Sequence, residues 1–152
     1  MNRLLQTTGL AASFVLVSIF QPVAEAKDTV SFLPIKAAFE TSDAKEKLGK
    51  DIRFYFAGQG HPAVEARMSK GVVSNKKTNS SNKSNEAACN RAMLSALLQL
   101  QERARNEGGN AVINIESYYK KKSFKSKDQF ECHSGLLMSG VALKGDVVKL
   151  KR

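Results

Sequence analysis

The first 26 residues decide how much of this chain is available to fold, and in which redox environment. Arg3 precedes an apolar run over 9–20, Pro22 breaks it, and Ala24-Glu25-Ala26 places small residues at the third and first positions before a cleavage point. A run this short does not reach across a bilayer, and the pattern reads as a secretory signal peptide, 1–26, cleaved after Ala26. The expected product is one domain, 27–152, of a size that buries its own core. Its expected location is periplasmic or secreted.

The precursor carries a formal net charge of +10, and the segment removed holds one basic residue, Arg3, and one acidic residue, Glu25. The mature chain therefore keeps the whole excess. In an exported protein that excess points to an anionic envelope component such as lipid head groups or lipopolysaccharide, or to an envelope protein. Solubility alone is the competing reading. No later apolar run is long enough to span a membrane and no cysteine stands at the cleavage point, so neither a transmembrane segment nor a lipid anchor is expected.

Both cysteines, Cys89 and Cys132, survive processing. An even count in an oxidising compartment is most simply one disulfide.

Along the chain, residues 30–35 are apolar around Pro34 and suit an edge strand. Thr41-Ser42-Asp43 offers caps for a short helix over 44–48, with Gly49 placed for a left-handed C-terminal residue. Residues 51–57 alternate, with Ile52, Phe54 and Phe56 on one side, which predicts a half-buried strand. Val64, Ala66 and Met68 alternate again, and Gly71-Val72-Val73 extends the pattern, predicting one strand bent at a glycine bulge. Residues 75–84 are wholly polar and read as a solvated loop.

Ser84 can cap the next segment, and apolar residues from Ala88 to Ala104 recur at three- and four-residue intervals, predicting a helix over 85–107 that Gly108-Gly109 ends. Two strand-like stretches follow, 111–119 and 130–143, the second with Gly135 and Gly140 as bulges. They read as a long hairpin, and 147–150 as a short edge strand or a frayed end.

Several near-motifs do not commit to chemistry. The stretch Gly71 to Thr78 almost fits GxxxxGK[ST], but a lysine replaces the second glycine, whose backbone amides would wrap phosphates, and no helix opens after it. Cys89, Cys132, His61 and His133 lack metal-ligand spacing, and Cys132 and His133, adjacent on a strand, point to opposite faces. No metal and no cofactor is expected. RNA-binding sheets use arginine and aromatics placed on strand faces, and export argues against such a partner, so no nucleic acid partner is expected. A reduced Cys89 in an early helical turn would have a lowered thiol pKa, which keeps a redox or enzymatic role open.

The densest charge lies in Lys120, Lys121, Lys122, Lys125 and Lys127, set around Phe124 and preceded by Tyr118 and Tyr119. Such a tract supplies point charges for phosphates and aromatics for an interface. An exposed turn kept soluble by charge is the competing reading. Lys76, Lys77 and Lys83 join the tract as anion-binding candidates if the polar loop and the tract share one end of the sheet.

From Ser84 to Lys144, the helix beginning near Cys89, the Gly108-Gly109-Asn110-Ala111-Val112 run and the closing Gly140-Val141-Ala142-Leu143 resemble the module of small bacterial envelope proteins of the Rcs-sensor-lipoprotein and YbjQ-like kind. In those sensors a cysteine before the helix pairs with one in the final hairpin, so the resemblance implies a Cys89–Cys132 bond. This chain lacks their lipid-bearing cysteine and second disulfide. The wider pattern, with Leu33-Pro34-Ile35, Phe54-Tyr55-Phe56, Asn75-Lys76-Lys77-Thr78-Asn79 and Ala88-Cys89, is similar to exported proteins that carry the label excinuclease ATPase subunit. That chemistry needs nucleotide-binding loops and zinc-binding CxxC pairs, which these residues do not supply.

The expected fold is α+β: an antiparallel sheet of about four or five strands, one long helix packed on a face, and one disulfide. The expected role is a non-enzymatic envelope-associated binding or stress-sensing module with a basic surface. The alternative is a small redox-active or enzymatic periplasmic protein using Cys89.

Overall fold

A computed structural model of the protein describes residues 28–152, and the signal segment expected over 1–26 lies outside the described residues. The domain is organised around one helix of 22 residues, α3 (Asn85–Asn106). Its start and stop are those the sequence predicts. The Ser84 hydroxyl accepts from Ala87 N at 3.1 Å, Glu86 lies in the first turn, and Arg103 and Arg105 in the last complement the helix dipole. Gly108 then takes a positive φ of 74°, the left-handed residue that ends the helix. One stripe of α3 is fully covered: Cys89, Ala92, Met93, Ala96, Leu97, Leu100 and Ala104. The small alanines bring the helix axis close to the sheet beneath it.

The sheet has six strands: β1 (Thr29–Pro34), β2 (Arg53–Phe56), β3 (Val64–Asn79), β4 (Ala111–Ser117), β5 (Gln129–Ser134) and β6 (Met138–Leu150). The 13-residue β6 is its spine. β3 pairs antiparallel along one whole edge of β6, while β5 (at Ser139 and Gly140) and β4 (from Leu143 to Val148) share the other. β1 flanks β5, and β2 flanks β4. Alternation along β6 sends Val141, Leu143 and Val147 toward α3, where they meet Phe56, Val112, Ile115 and Phe130 in the main core. Val148 and Leu150 point the other way and pack with Ala111 and Ile113 in a second, smaller cluster.

The fold class and disulfide agree with expectation, but the details of the sheet differ. Among the described residues the sheet has six strands rather than about four or five, and β2 pairs with β4 in parallel. A parallel pair needs a long crossover, and here β3 and α3 both lie between the two partners. The polar stretch expected as a loop over 75–84 is strand as far as Asn79, because β3 pairs residue by residue with β6 from Lys144 back to Met138. The expected hairpin between 111–119 and 130–143 is replaced by a hairpin of β5 with β6, whose turn holds Gly135; Gly140 lies in regular pairing and is no bulge. The tail 147–150, expected at an edge, is the buried end of β6 between β3 and β4.

The bend at Gly71, with φ 65°, falls where the sequence predicts. Asp146 holds it, accepting from Gly71 N at 2.9 Å and from Asn114 Nδ2 at 3.1 Å. Before β2 the chain forms two short helices, α1 (Ile35–Glu40) and α2 (Ser42–Lys47), where one was expected over 44–48. Thr41 separates them, accepting from Ala44 N and donating to Ala38 O. Gly49 is not left-handed. Its missing side chain instead leaves room for Asp51 and Arg105, which a Cβ there would meet.

Candidate functional site

Strand alternation divides the predicted residues between two faces. Cys132 points to α3 and bonds Cys89, with both residues fully buried and 43 positions apart. Among the described residues no cysteine is free. His133 points to the opposite, helix-free face, as adjacent strand residues must. There its ring stacks on Tyr119, centroids 3.4 Å apart, while Nδ1 lies 3.3 Å from Asp28 Oδ2 and Nε2 meets Glu131. No three His, Cys, Asp or Glu among the described residues come together to hold a metal ion.

The lysine tract is a folded turn. Beyond β4, Ser117 and Phe124 exchange backbone hydrogen bonds of 3.0 and 2.9 Å, and Lys122 N donates to Tyr119 O at 2.9 Å to close a tight turn between them. The two central residues, Lys120 and Lys121, have φ of 48° and 63°. Two successive positive φ angles are the signature of a type I′ turn, normally the province of Asn and Gly. Lysine has no local reason to adopt that backbone, which costs on the order of 1–2 kcal/mol per residue. Contacts anchor the residues on either side of it: Tyr119 on His133, Phe124 on Phe32 at 4.7 Å, and Ser123 Oγ donating to Glu116 Oε1 at 2.8 Å.

The candidates therefore differ in their freedom. Lys120, Lys121, Lys122 and Lys127 are exposed and make no ion pair among the described residues. Lys125 lies 3.8 Å from Glu116. Glu116 is a buried carboxylate whose stronger partner is Lys144, at 2.6 Å. Burial alone would push the Glu116 carboxyl up, but the hydrogen bonds from Lys144 and Ser123 hold it below its ordinary value. Lys144 also lies 4.0 Å from the Tyr118 ring centroid. These charges satisfy one another.

Lys76 and Lys77 separate. Lys76 shares the helix-bearing face with Ser74, whose hydroxyl bonds Ala96 O and Gln99 on α3, and is half-buried. Lys77 lies on the helix-free face opposite Gly140, whose partner on the other side is His133. Lys77 and the Tyr119–His133 stack thus occupy one row of the sheet.

The sequence reading missed the feature at the end of that row. The β5–β6 turn carries Leu136, Leu137 and Met138, exposed by 89%, 61% and 43%. The signal was Ser134-Gly135, a turn pair read as the interior of a strand.

Two cavities are less suited to an anion. One of about 400 Å³ lies beside Asn90 at the start of α3, but Asp43 and Glu86 line it. Another of about 430 Å³ is lined by Glu116, Asp146, Lys125 and Lys144, already paired internally. Among the described residues no helix is long and apolar enough to cross a membrane. No protein-family model matches the chain, and no curated protein matches it.

Proposed function

We propose that this protein is an exported, non-enzymatic envelope module of the Rcs-sensor-lipoprotein and YbjQ-like kind, and that it binds an anionic envelope component through the turn at Lys120, Lys121 and Lys122. The observation that carries this reading is the pair of left-handed lysines. The fold holds two like-charged side chains at the head of a turn that neither favours, and among the described residues neither makes an ion pair. Lys77, in one row with the Tyr119–His133 stack, extends the positive surface, Lys127 lies apart beside Gln59, Lys125 divides its charge with Glu116, and Lys76 contributes least because it faces the helix. The role that would use Cys89 as a reactive thiol has little support, since Cys89 is bonded and buried.

The test is sedimentation with vesicles containing an anionic phospholipid, or with lipopolysaccharide, over a salt series. Binding should fall steeply with salt, and the combined Lys120→Glu, Lys121→Glu and Lys122→Glu variant should lose it. Unchanged binding by that variant at high salt would refute the proposal.

A further inference from the structure

We infer that the turn at 136–138 is an apolar wedge that enters the outer hydrocarbon of an anionic phospholipid bilayer, an inference that rests on the anion-binding reading of the lysine turn and names the bilayer as its ligand. Leu136 and Leu137 are the two most exposed large apolar side chains among the described residues. They are adjacent, they sit at the head of a hairpin turn, and Met138 continues them.

Cations lie on both flanks of this turn, and the two carboxylates on the β5 side, Asp28 and Glu131, are both taken up by His133. Asn79 pairs with Met138, and Ser80 N donates to Leu137 O at 2.9 Å, which fixes the β3–α3 connection against the wedge. Lys83 belongs to that connection, and its Nζ reaches Asn79 O at 3.2 Å. Lys77 pairs with Gly140, two residues along β6 from Met138. On the other flank Tyr119 covers His133, two residues before Gly135, and Lys120 Nζ lies 5.4 Å from the Tyr119 ring centroid. An apolar point with ammonium groups on both sides matches the cross-section of an anionic bilayer, with head groups around a shallow hydrocarbon layer.

A protein partner fits less well. The wedge is convex and three residues long, well short of the roughly 800 Å² per partner of a stable protein interface. A bilayer accepts a protruding tip without a complementary pocket, and the lysine stems can lie along the lipid while their charges stay at the head groups.

The chain contains no tryptophan, so Leu136→Trp gives a single emission probe. With the Cys89–Cys132 bond intact, the variant is titrated with phosphatidylglycerol-containing vesicles, with vesicles of brominated acyl chains, and with soluble polyphosphate. A blue shift with vesicles, quenching by bromine, and no shift with polyphosphate are expected. Separately, Leu137→Asp should weaken vesicle binding about tenfold or more while leaving polyphosphate binding unchanged. Salt-sensitive vesicle binding with no blue shift would overturn the wedge and leave the lysine reading standing. Polyphosphate binding without vesicle binding would do the same. Loss of both would overturn both readings, and a concentration-dependent blue shift without lipid would assign the turn to self-association instead.

Discussion

Arg105 closes a two-pronged bond on Asp51, with Nε and Nη2 donating at 2.7 Å to different carboxylate oxygens across 54 residues of sequence. It ties the last turn of α3 to the segment that enters β2. Those hydrogen bonds hold the Asp51 carboxyl at about 2, against an ordinary 3.8. A depressed carboxyl stabilises the fold above its ordinary value, and the contribution is lost as pH falls through the folded one. Chemical unfolding of the native chain and of Asp51→Asn should therefore differ at about pH 5 and converge toward about pH 2. Salt should narrow the gap, since the pair is exposed. Gly49→Ala would place a methyl group on the same atoms, so in that variant the Asp51 carbon resonance should titrate closer to 3.8. A difference that persists undiminished in acid would count against this account.

The glycine at 49 also shows what the sequence reveals. A glycine after a short helical pattern suggests a left-handed cap, yet this one makes room for an ion pair whose partner lies 54 residues away. Local signals were legible where local physics decides: the Ser84 cap, the stripe of α3, the Gly71 bend and the opposite facing of Cys132 and His133. Pairing partners were not. Residues 75–79 look like a loop because they are polar, but an outer strand needs its backbone paired rather than its side chains buried, and β6 supplies the pairing. The end of β6 looks like a tail because nothing local announces that β3 and β4 will enclose it. Of the site, the lysines could be read directly. The turn conformation that presents Lys120 and Lys121, and the wedge beside it, depend on contacts with His133, Phe32 and Asn79 that lie far along the chain.

The Cys89–Cys132 bond joins the second turn of α3 to β5 across 43 residues. Loop-closure entropy for that separation gives a stabilisation of about 4 kcal/mol, and measured values often fall below it. The paired Cys89→Ala and Cys132→Ala variant should lose about 2–4 kcal/mol in urea unfolding. Because the two sulfurs are bonded to each other, thiol labelling without reductant should find nothing even in denaturant, where burial no longer protects them. Two reactive thiols in that experiment, or a variant as stable as the parent, would show that the bond does not staple the fold.

Glu116 and Lys144 face each other across β4 and β6 on the helix-free side, and each shifts the other. Lys144 is pushed up by its hydrogen bond to Glu116, against the pull of its own desolvation, while Glu116 is held down despite burial. The two shifts bound a window. The carboxylate contributes above its ordinary value and loses that contribution as pH falls; the ammonium contributes below its ordinary value and loses it as pH rises through the higher folded one. Glu116→Gln should therefore cost about 1–3 kcal/mol at neutral pH and less at both extremes. Ser123 also donates to Glu116, so the single variant mixes two interactions. A double-mutant cycle with Lys144→Met isolates the ion pair, and its coupling energy should carry the pH dependence. Glu116→Gln keeps an oxygen that can accept from Ser123, whereas Glu116→Leu removes it; in Glu116→Leu the strained lysines of the turn lose an anchor, and anion binding should weaken although Glu116 itself carries the wrong charge to bind the ligand. Stronger binding in Glu116→Leu would mean that removing a negative charge matters more than holding the turn, and that the backbone at Lys120 and Lys121 does not need this support.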